Sequence, residues 1–269
     1  MRVRGTIAYD GSPFYGFAYN AGVRTVAGDL SAALSEIFGG EFFISCAGRT
    51  DRGVHSVGQV VSFDIPEGAD LYKLARSLNS LCAPHVAIYE LSHAEDDFDA
   101  RFSATGRQYR YRLLNREEPD PFLARTAWHV REELNFSAMA AAAEYLVGEH
   151  DFSSFCRRPR RTDGATVSLV RTVEEVGWWL SGNQLPGVLD FKISAVAFCH
   201  QMVRSIVGTL VKVGSGHRSP SEVHDILISR DRQMGDKPAP PHGLVLWSVR
   251  YGDKWSDPPG EAAGLVFGQ

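Results

Sequence analysis

The segment Ala47-Gly48-Arg49-Thr50-Asp51-Arg52-Gly53-Val54-His55 sets one carboxylate between two arginines in a glycine-flanked turn. Positive charge on either side favours the ionised form of Asp51. A carboxylate held charged in this way suits a nucleophile or a base that works without a metal. The competing reading is a surface hairpin with a local ion pair, which adds little to stability. Phe42, Phe43 and Ile44 lead into the segment, and Gln59, Val60, Val61 and Phe63 lead out, so the turn is predicted to join two strands.

Positive charge elsewhere is carried almost wholly by arginine; the lysines are Lys73, Lys192, Lys212, Lys237 and Lys254. Arg157, Arg158, Arg160, Arg161 and Arg171 form one basic stretch, and Arg101, Arg107, Arg110 and Arg112 form another. Guanidinium groups grip phosphate with paired hydrogen bonds. Codon bias also favours arginine over lysine, but bias would scatter the residues, whereas these cluster. The net charge of −4 does not itself announce a nucleic-acid binder.

A chain of 269 residues with 44% apolar content has room for two domains with real cores. No apolar run is long enough to cross a bilayer. Met1 to Ile7 reads as a first strand and not as a signal peptide. Cys46, Cys82, Cys156 and Cys199 fit no zinc spacing and are expected as reduced thiols in a cytoplasmic protein. Glu149-His150-Asp151 and Asp97-x-Asp99 resemble metal ligands in composition, but both fall in predicted loops without a partner cluster, and no metal is expected.

The elements that must position Asp51 follow from periodicity. Val3–Tyr9 alternates as a strand. Thr25 is placed to cap a helix carrying Val26, Leu30, Leu34 and Ile37, stopped by Gly39-Gly40. Phe42–Cys46 and Gln59–Phe63 are predicted strands. Asp70 can cap a helix with Leu71, Leu74, Leu78 and Leu81, and Val86–Leu91 closes the set. The second half repeats the order. Gln108–Leu114 is a strand, Asn135 caps an alanine-rich helix, and Val173–Leu180 and Val188–Ala195 are strands. Gln201–Val213 and Ser221–Ser229 are helices, and Leu244–Val249 is a last strand. This implies an α+β protein of two ferredoxin-like, RRM-like halves with antiparallel sheets. The expected domains are 1–104 and 105–254, with a loosely held tail over 255–269.

The Asp51 segment resembles the signature loop of the tRNA pseudouridine synthase A (TruA) family. Further segments stand in the family's order: Tyr9-Asp10-Gly11-Ser12-x-Phe14-x-Gly16, Ala100–Ala104, Arg107-Gln108-Tyr109-Arg110-Tyr111, Phe198–Gly208 and Pro241–Leu246. The resemblance spans almost the whole chain. It implies two sheets side by side with a central cleft, a homodimer, tRNA as substrate, no cofactor, and action on uridines 38, 39 and 40 of the anticodon stem-loop. The reaction breaks the bond between ribose C1′ and uracil N1, turns the base and rejoins it through C5, with the uridine out of its stack.

Matched residue by residue, the resemblance implies that Asp51 is the nucleophile, or the stabiliser of a developing positive ribose. It implies that Tyr109 stacks on uracil or relays the C5 proton, and that Arg204 pairs with the catalytic carboxylate. Each has a structural alternative: a turn residue, a strand tyrosine, a helix-surface arginine. Tyr111 shares the face of Tyr109 and is either a second pocket wall or core. Arg49 and Arg52 are expected at RNA phosphate or in shaping the loop, and Arg157, Arg158, Arg160 and Arg161 at the RNA backbone. Phe198, Met202 and Leu244 are candidates for the uracil pocket or for plain core. His55 is a candidate for RNA contact or a structural hydrogen bond. The chain departs from the pattern at Arg52, where alanine is common, and at Phe17-Ala18, where Trp-Gln is usual. The alternatives to a tRNA pseudouridine synthase are a non-catalytic RNA-binding protein on the same scaffold and an enzyme acting on another RNA.

Overall fold

The computed structural model describes residues 1–158, 167–180 and 185–256. In chain order the elements begin with β1 (Arg2–Tyr9), α1 (Val26–Phe38), β2 (Ser45–Cys46), β3 (His55–Asp64), α2 (Leu71–Cys82) and β4 (Val86–His93). They continue with β5 (Gly106–Asn115), β6 (Trp128–Val130), α3 (Phe136–Glu144), β7 (Gly148–Asp151), β8 (Val170–Leu180) and β9 (Val188–Ala195). The last are α4 (Met202–Gly214), α5 (Glu222–Ser229), β10 (Leu244–Tyr251) and β11 (Lys254–Trp255). The protein is α+β and divides into two units, one from Met1–Arg107 with the chain from Val245, the other from Gln108–Leu244. Among the described residues no helix is long and apolar enough to cross a membrane.

In the first unit β1 lies between β3 and β4, antiparallel to both, with Val3 opposite Phe63 and Gly5 opposite Val61. Val3, Ile7 and Tyr9 alternate along β1 onto one face, as a strand's two-residue period dictates. There they meet Leu30 and Leu34 of α1 and Leu74 and Leu78 of α2. Both helices start where predicted: the Thr25 hydroxyl accepts from the Gly28 amide at 3.1 Å, and the Asp70 carboxylate accepts from the Lys73 amide at 3.1 Å. These side chains satisfy amides that a helix N-terminus leaves without partners. The β4-β1-β3-β2 order is the ferredoxin-like arrangement.

Two expectations need correction here. The strand predicted over Phe42–Cys46 is confined to Ser45–Cys46, because Phe42 turns back to α1. Its carbonyl accepts from the Ser31 hydroxyl at 2.7 Å, and its ring lies 5.9 Å from that of Phe38. The last strand, placed by the sequence with the second half, belongs from Val245 onward to the first unit. β2 covers only Val61 and Ser62 on the outer edge of β3, and Val245 and Leu246 pair in parallel with His55 and Ser56 further along that edge. Trp255, assigned to the tail, pairs with Arg250 in the β10–β11 hairpin; residues 257–269 lie outside the described residues.

In the second unit β7, β8 and β9 run antiparallel, and β5 follows β9 in the sheet order and pairs in parallel with β6. The Asn135 side chain caps α3 by accepting from the Ala138 amide at 3.0 Å. Only Arg204 and Lys212 of the thirteen residues of α4 escape burial. Arg112 and Asp190, both essentially buried, form a two-pronged ion pair at 2.9 and 3.1 Å.

Candidate active site

The turn carrying Asp51 is fastened at each of its flanks. Gln59, wholly buried on β3, donates to the Gly48 carbonyl at 2.7 Å and accepts from the Gly48 amide at 3.2 Å. Gln59 also reaches the Tyr9 hydroxyl at 3.3 Å, and that hydroxyl lies 2.8 Å from Thr50 Oγ1. The Thr50 carbonyl accepts from the Phe17 amide at 3.1 Å, and the Asp51 carbonyl accepts from the Val54 amide at 3.1 Å. Gly53 takes φ +77°, a conformation that side chains resist. Gly11 allows the opening loop to lie against this turn: a Cβ there would sit 2.1 Å from the Val54 carbonyl oxygen. Asp51 is thus a half-buried carboxylate on a backbone held by groups far apart in sequence. Fixed placement of a reacting group lowers the entropy cost of the chemical step.

The flanking arginines point to different tasks. The Arg52 guanidinium rests over the Tyr15 ring, 4.1 Å from its centre, and both residues are exposed. Arg49 is exposed and lines a groove with Phe43 and Arg101. His55, in contrast, is buried. Its Nδ1 stands 3.0 Å from the Gly11 amide and 3.2 Å from the Asp10 carboxylate. The His55 contact outweighs burial and, with the Ser12 amide, holds the Asp10 carboxyl well below the usual carboxylate range. The structural reading of His55 is the one this geometry matches.

Tyr109 and Arg204 belong to the second unit. The Tyr109 ring, 7% exposed on β5, meets the half-buried Phe198 ring edge-on, with centres 5.1 Å apart and planes at 87°. Tyr111 is core: its hydroxyl donates to the Pro240 carbonyl at 2.8 Å, its ring packs edge-on against Trp128, and burial pushes its phenol up. Met202 is fully buried and Leu244 is 6% exposed. Arg204 donates from Nε to the Ala239 carbonyl at 2.7 Å, while the Ala239 amide donates to the Arg204 carbonyl at 2.8 Å. A cation in the first turn of a helix opposes the helix dipole, so helix stability does not explain its position there. The turn into α4 is sharp, with Gln201 at φ +65°.

The basic stretches divide. Arg157 and Arg158 are exposed, and Arg160 and Arg161 lie outside the described residues. In the other stretch Arg107 and Arg112 are internal. Arg107 donates to the carbonyls of Ala47, Arg101 and Ala104, tying the residue before Gly48 to the start of β5. Arg112 pairs with Asp190. Sequence reasoning missed Tyr9, Asp10, Gln59 and Arg107 as supports of the turn. The signal for Gln59 was a long polar side chain beside Val60 and Val61 in a predicted strand. Among the described residues no group of three or more His, Cys, Asp or Glu side chains is placed to hold a metal ion.

Comparison with known proteins adds to this geometry. Residues 142–252 match the family model described as tRNA pseudouridine synthase. The tRNA pseudouridine synthase A of Bacillus velezensis is 40% identical over 93% of this chain and 99% of its own length. That of Frankia casuarinae is 42% identical over 93% of this chain and 89% of its own. A crystal structure of a Cbf5-Nop10-Gar1 complex aligns with 78% of this chain and 45% of that chain, at 14% identity and a TM-score of 0.35. With relatives alike across nearly their full length, and the Asp51 turn built as described, this chain belongs to the tRNA pseudouridine synthase A family.

Proposed function

We propose that this chain converts uridine to pseudouridine at positions 38–40 of the tRNA anticodon stem-loop, with Asp51 as the nucleophile. Isomerisation of uridine in tRNA follows from family membership. The observation that supports Asp51 is its seat: a half-buried carboxylate on a turn locked by Gln59 at Gly48 and by Tyr9 at Thr50. In the reaction the C1′–N1 bond breaks, a C1′–C5 bond forms, C5 gives up a proton and N1 gains one, so no co-reactant is consumed. Asp51 either bonds covalently to the substrate or stabilises the positive charge that grows on ribose as N1 leaves.

Tyr109 takes the face of the extracted uracil, with Phe198 bracing its ring. Arg204 pairs with Asp51 in the catalytic state and keeps it charged. Met202 and Leu244 back the base pocket. Arg52 contacts the RNA near the target, and the exposed Arg157 and Arg158 hold its phosphates, which positions the substrate without reading sequence. The enzyme works as a homodimer, tested by sedimentation across a wide concentration range; a monomer mass throughout would contradict it.

The site in RNA is tested by mapping pseudouridine in total RNA from cells with and without the gene. Loss confined to tRNA positions 38–40, restored by returning the gene, is expected. Unchanged modification there, or loss in another RNA, overturns the assignment.

A further inference from the structure

The first unit carries an open groove of about 820 Å³ whose lining includes Arg49, two residues from Asp51 in sequence. Large rings stand out along it: Phe43 is 84% exposed, Phe102 80% and Tyr19 74%. Exposed rings gathered along one groove, and not scattered singly, mark surfaces that bind a partner. The charged residues lining the groove are Arg2, Glu41, Arg49, Asp64, Asp99 and Arg101. Arg2 is matched by Asp64 at 3.2 Å. Asp99 is occupied by its own turn, accepting from the amides of Arg101 and Phe102 at 2.8 and 2.9 Å. Arg49 and Arg101 have no carboxylate partner among the described residues, and the Arg101 guanidinium lies over the Phe102 ring at 5.3 Å. Exposed rings interleaved with uncommitted guanidinium groups match the two chemistries of an unpaired nucleotide, a stacking face and a phosphate.

We propose that this groove holds an unpaired nucleotide of the tRNA beside the target uridine, its base on Phe102 and Phe43 and its phosphate on Arg101 and Arg49. The proposal rests on the tRNA reading above. The Asp99 turn presents Arg101 and Phe102 together: burial pulls the Asp99 carboxyl up, but the Phe102 and Arg101 amides and the Ser45 side chain outweigh it and keep it charged. The groove is continuous with the Asp51 loop through Arg49, so one RNA strand can serve both. This argues for RNA over a second copy of the chain.

The test is equilibrium binding of unmodified tRNA to wild type, to the Phe43→Ala/Phe102→Ala double variant, and to Phe102→Trp, each also examined by sedimentation. Stacking predicts that the double variant binds at least about tenfold more weakly, that Phe102→Trp binds as wild type, and that sedimentation is unchanged. Binding by the double variant within about twofold of wild type overturns the proposal, since two lost stacking faces cannot cost so little. Dissociation of the protein by the double variant also overturns it, by assigning the patch to self-association. If wild type binds tRNA but makes no pseudouridine, the functional reading fails while the groove assignment stands.

Discussion

The Tyr9 hydroxyl lies 2.8 Å from Thr50 Oγ1, joining side chains 41 positions apart in sequence and fixing the residue that precedes Asp51. Tyr9 is therefore a positioning residue. Tyr9→Phe keeps the ring in the core and removes the hydroxyl that meets both Thr50 and Gln59, a loss of about 1–3 kcal/mol. With Asp51 as the proposed nucleophile, the variant's larger effect is expected on the chemical step: misaiming that carboxylate lowers kcat by about tenfold or more, with KM for tRNA little changed. Steady-state kinetics with unmodified tRNA separates the two, and a change confined to KM would contradict the positioning role.

The contact between Asp10 and His55 gives stability a defined acid limb. The Asp10 carboxyl titrates well below its ordinary value of 3.8, so its contribution is present above that pH and is lost as pH falls from 3.8 towards the folded-state value. Asp10→Asn lacks this contribution. The gap in urea midpoint between wild type and Asp10→Asn should narrow as pH falls below 3.8. A gap that stays constant into strong acid would refute the linkage.

The Arg112–Asp190 pair is structural, buried on both sides. Asp190→Asn leaves a guanidinium without its counter-charge in the core and is expected to cost about 3–5 kcal/mol. Lys192→Ala, which breaks the more exposed pair with Glu175, should cost under about 1 kcal/mol. Urea denaturation of the two variants compares them directly.

Thiol chemistry separates the four cysteines. Burial pushes the Cys46 thiol up to about 12 and that of Cys82 up to about 11. A hydrogen bond from Cys156, then the charge of Arg171, lowers the Cys199 thiol. The thiolate is the reactive form. Brief alkylation of the folded protein at pH 8 should therefore mark Cys199 first, as read by peptide mass spectrometry. Earlier labelling of Cys46 or Cys82 would contradict the packing described.

Much of the architecture was legible because local signals agreed with it. Thr25, Asp70 and Asn135 cap helices as their positions imply, and the spacing of Val3, Ile7 and Tyr9 gives the buried face of β1. What periodicity could not convey was long-range pairing. Nothing local says that Val245 and Leu246 lie beside His55 and Ser56, or that Phe42 leaves the ladder to pack on α1. The Asp51 turn was found by composition, but its supports were not, because Tyr9 and Gln59 act across the fold. Arginine clustering misled for Arg107 and Arg112. Residue type records charge, and burial decides whether that charge meets a phosphate or an internal carbonyl or carboxylate.

The most direct measurement is pseudouridine formed in tRNA after prolonged incubation with Asp51→Asn, quantified by nucleoside mass spectrometry alongside tRNA affinity. The proposed mechanism makes the chemical step depend on this carboxylate. No product above background, with tRNA affinity within about threefold of wild type, is the predicted result. Pseudouridine made by Asp51→Asn at the wild-type rate would contradict the assignment of Asp51 as nucleophile.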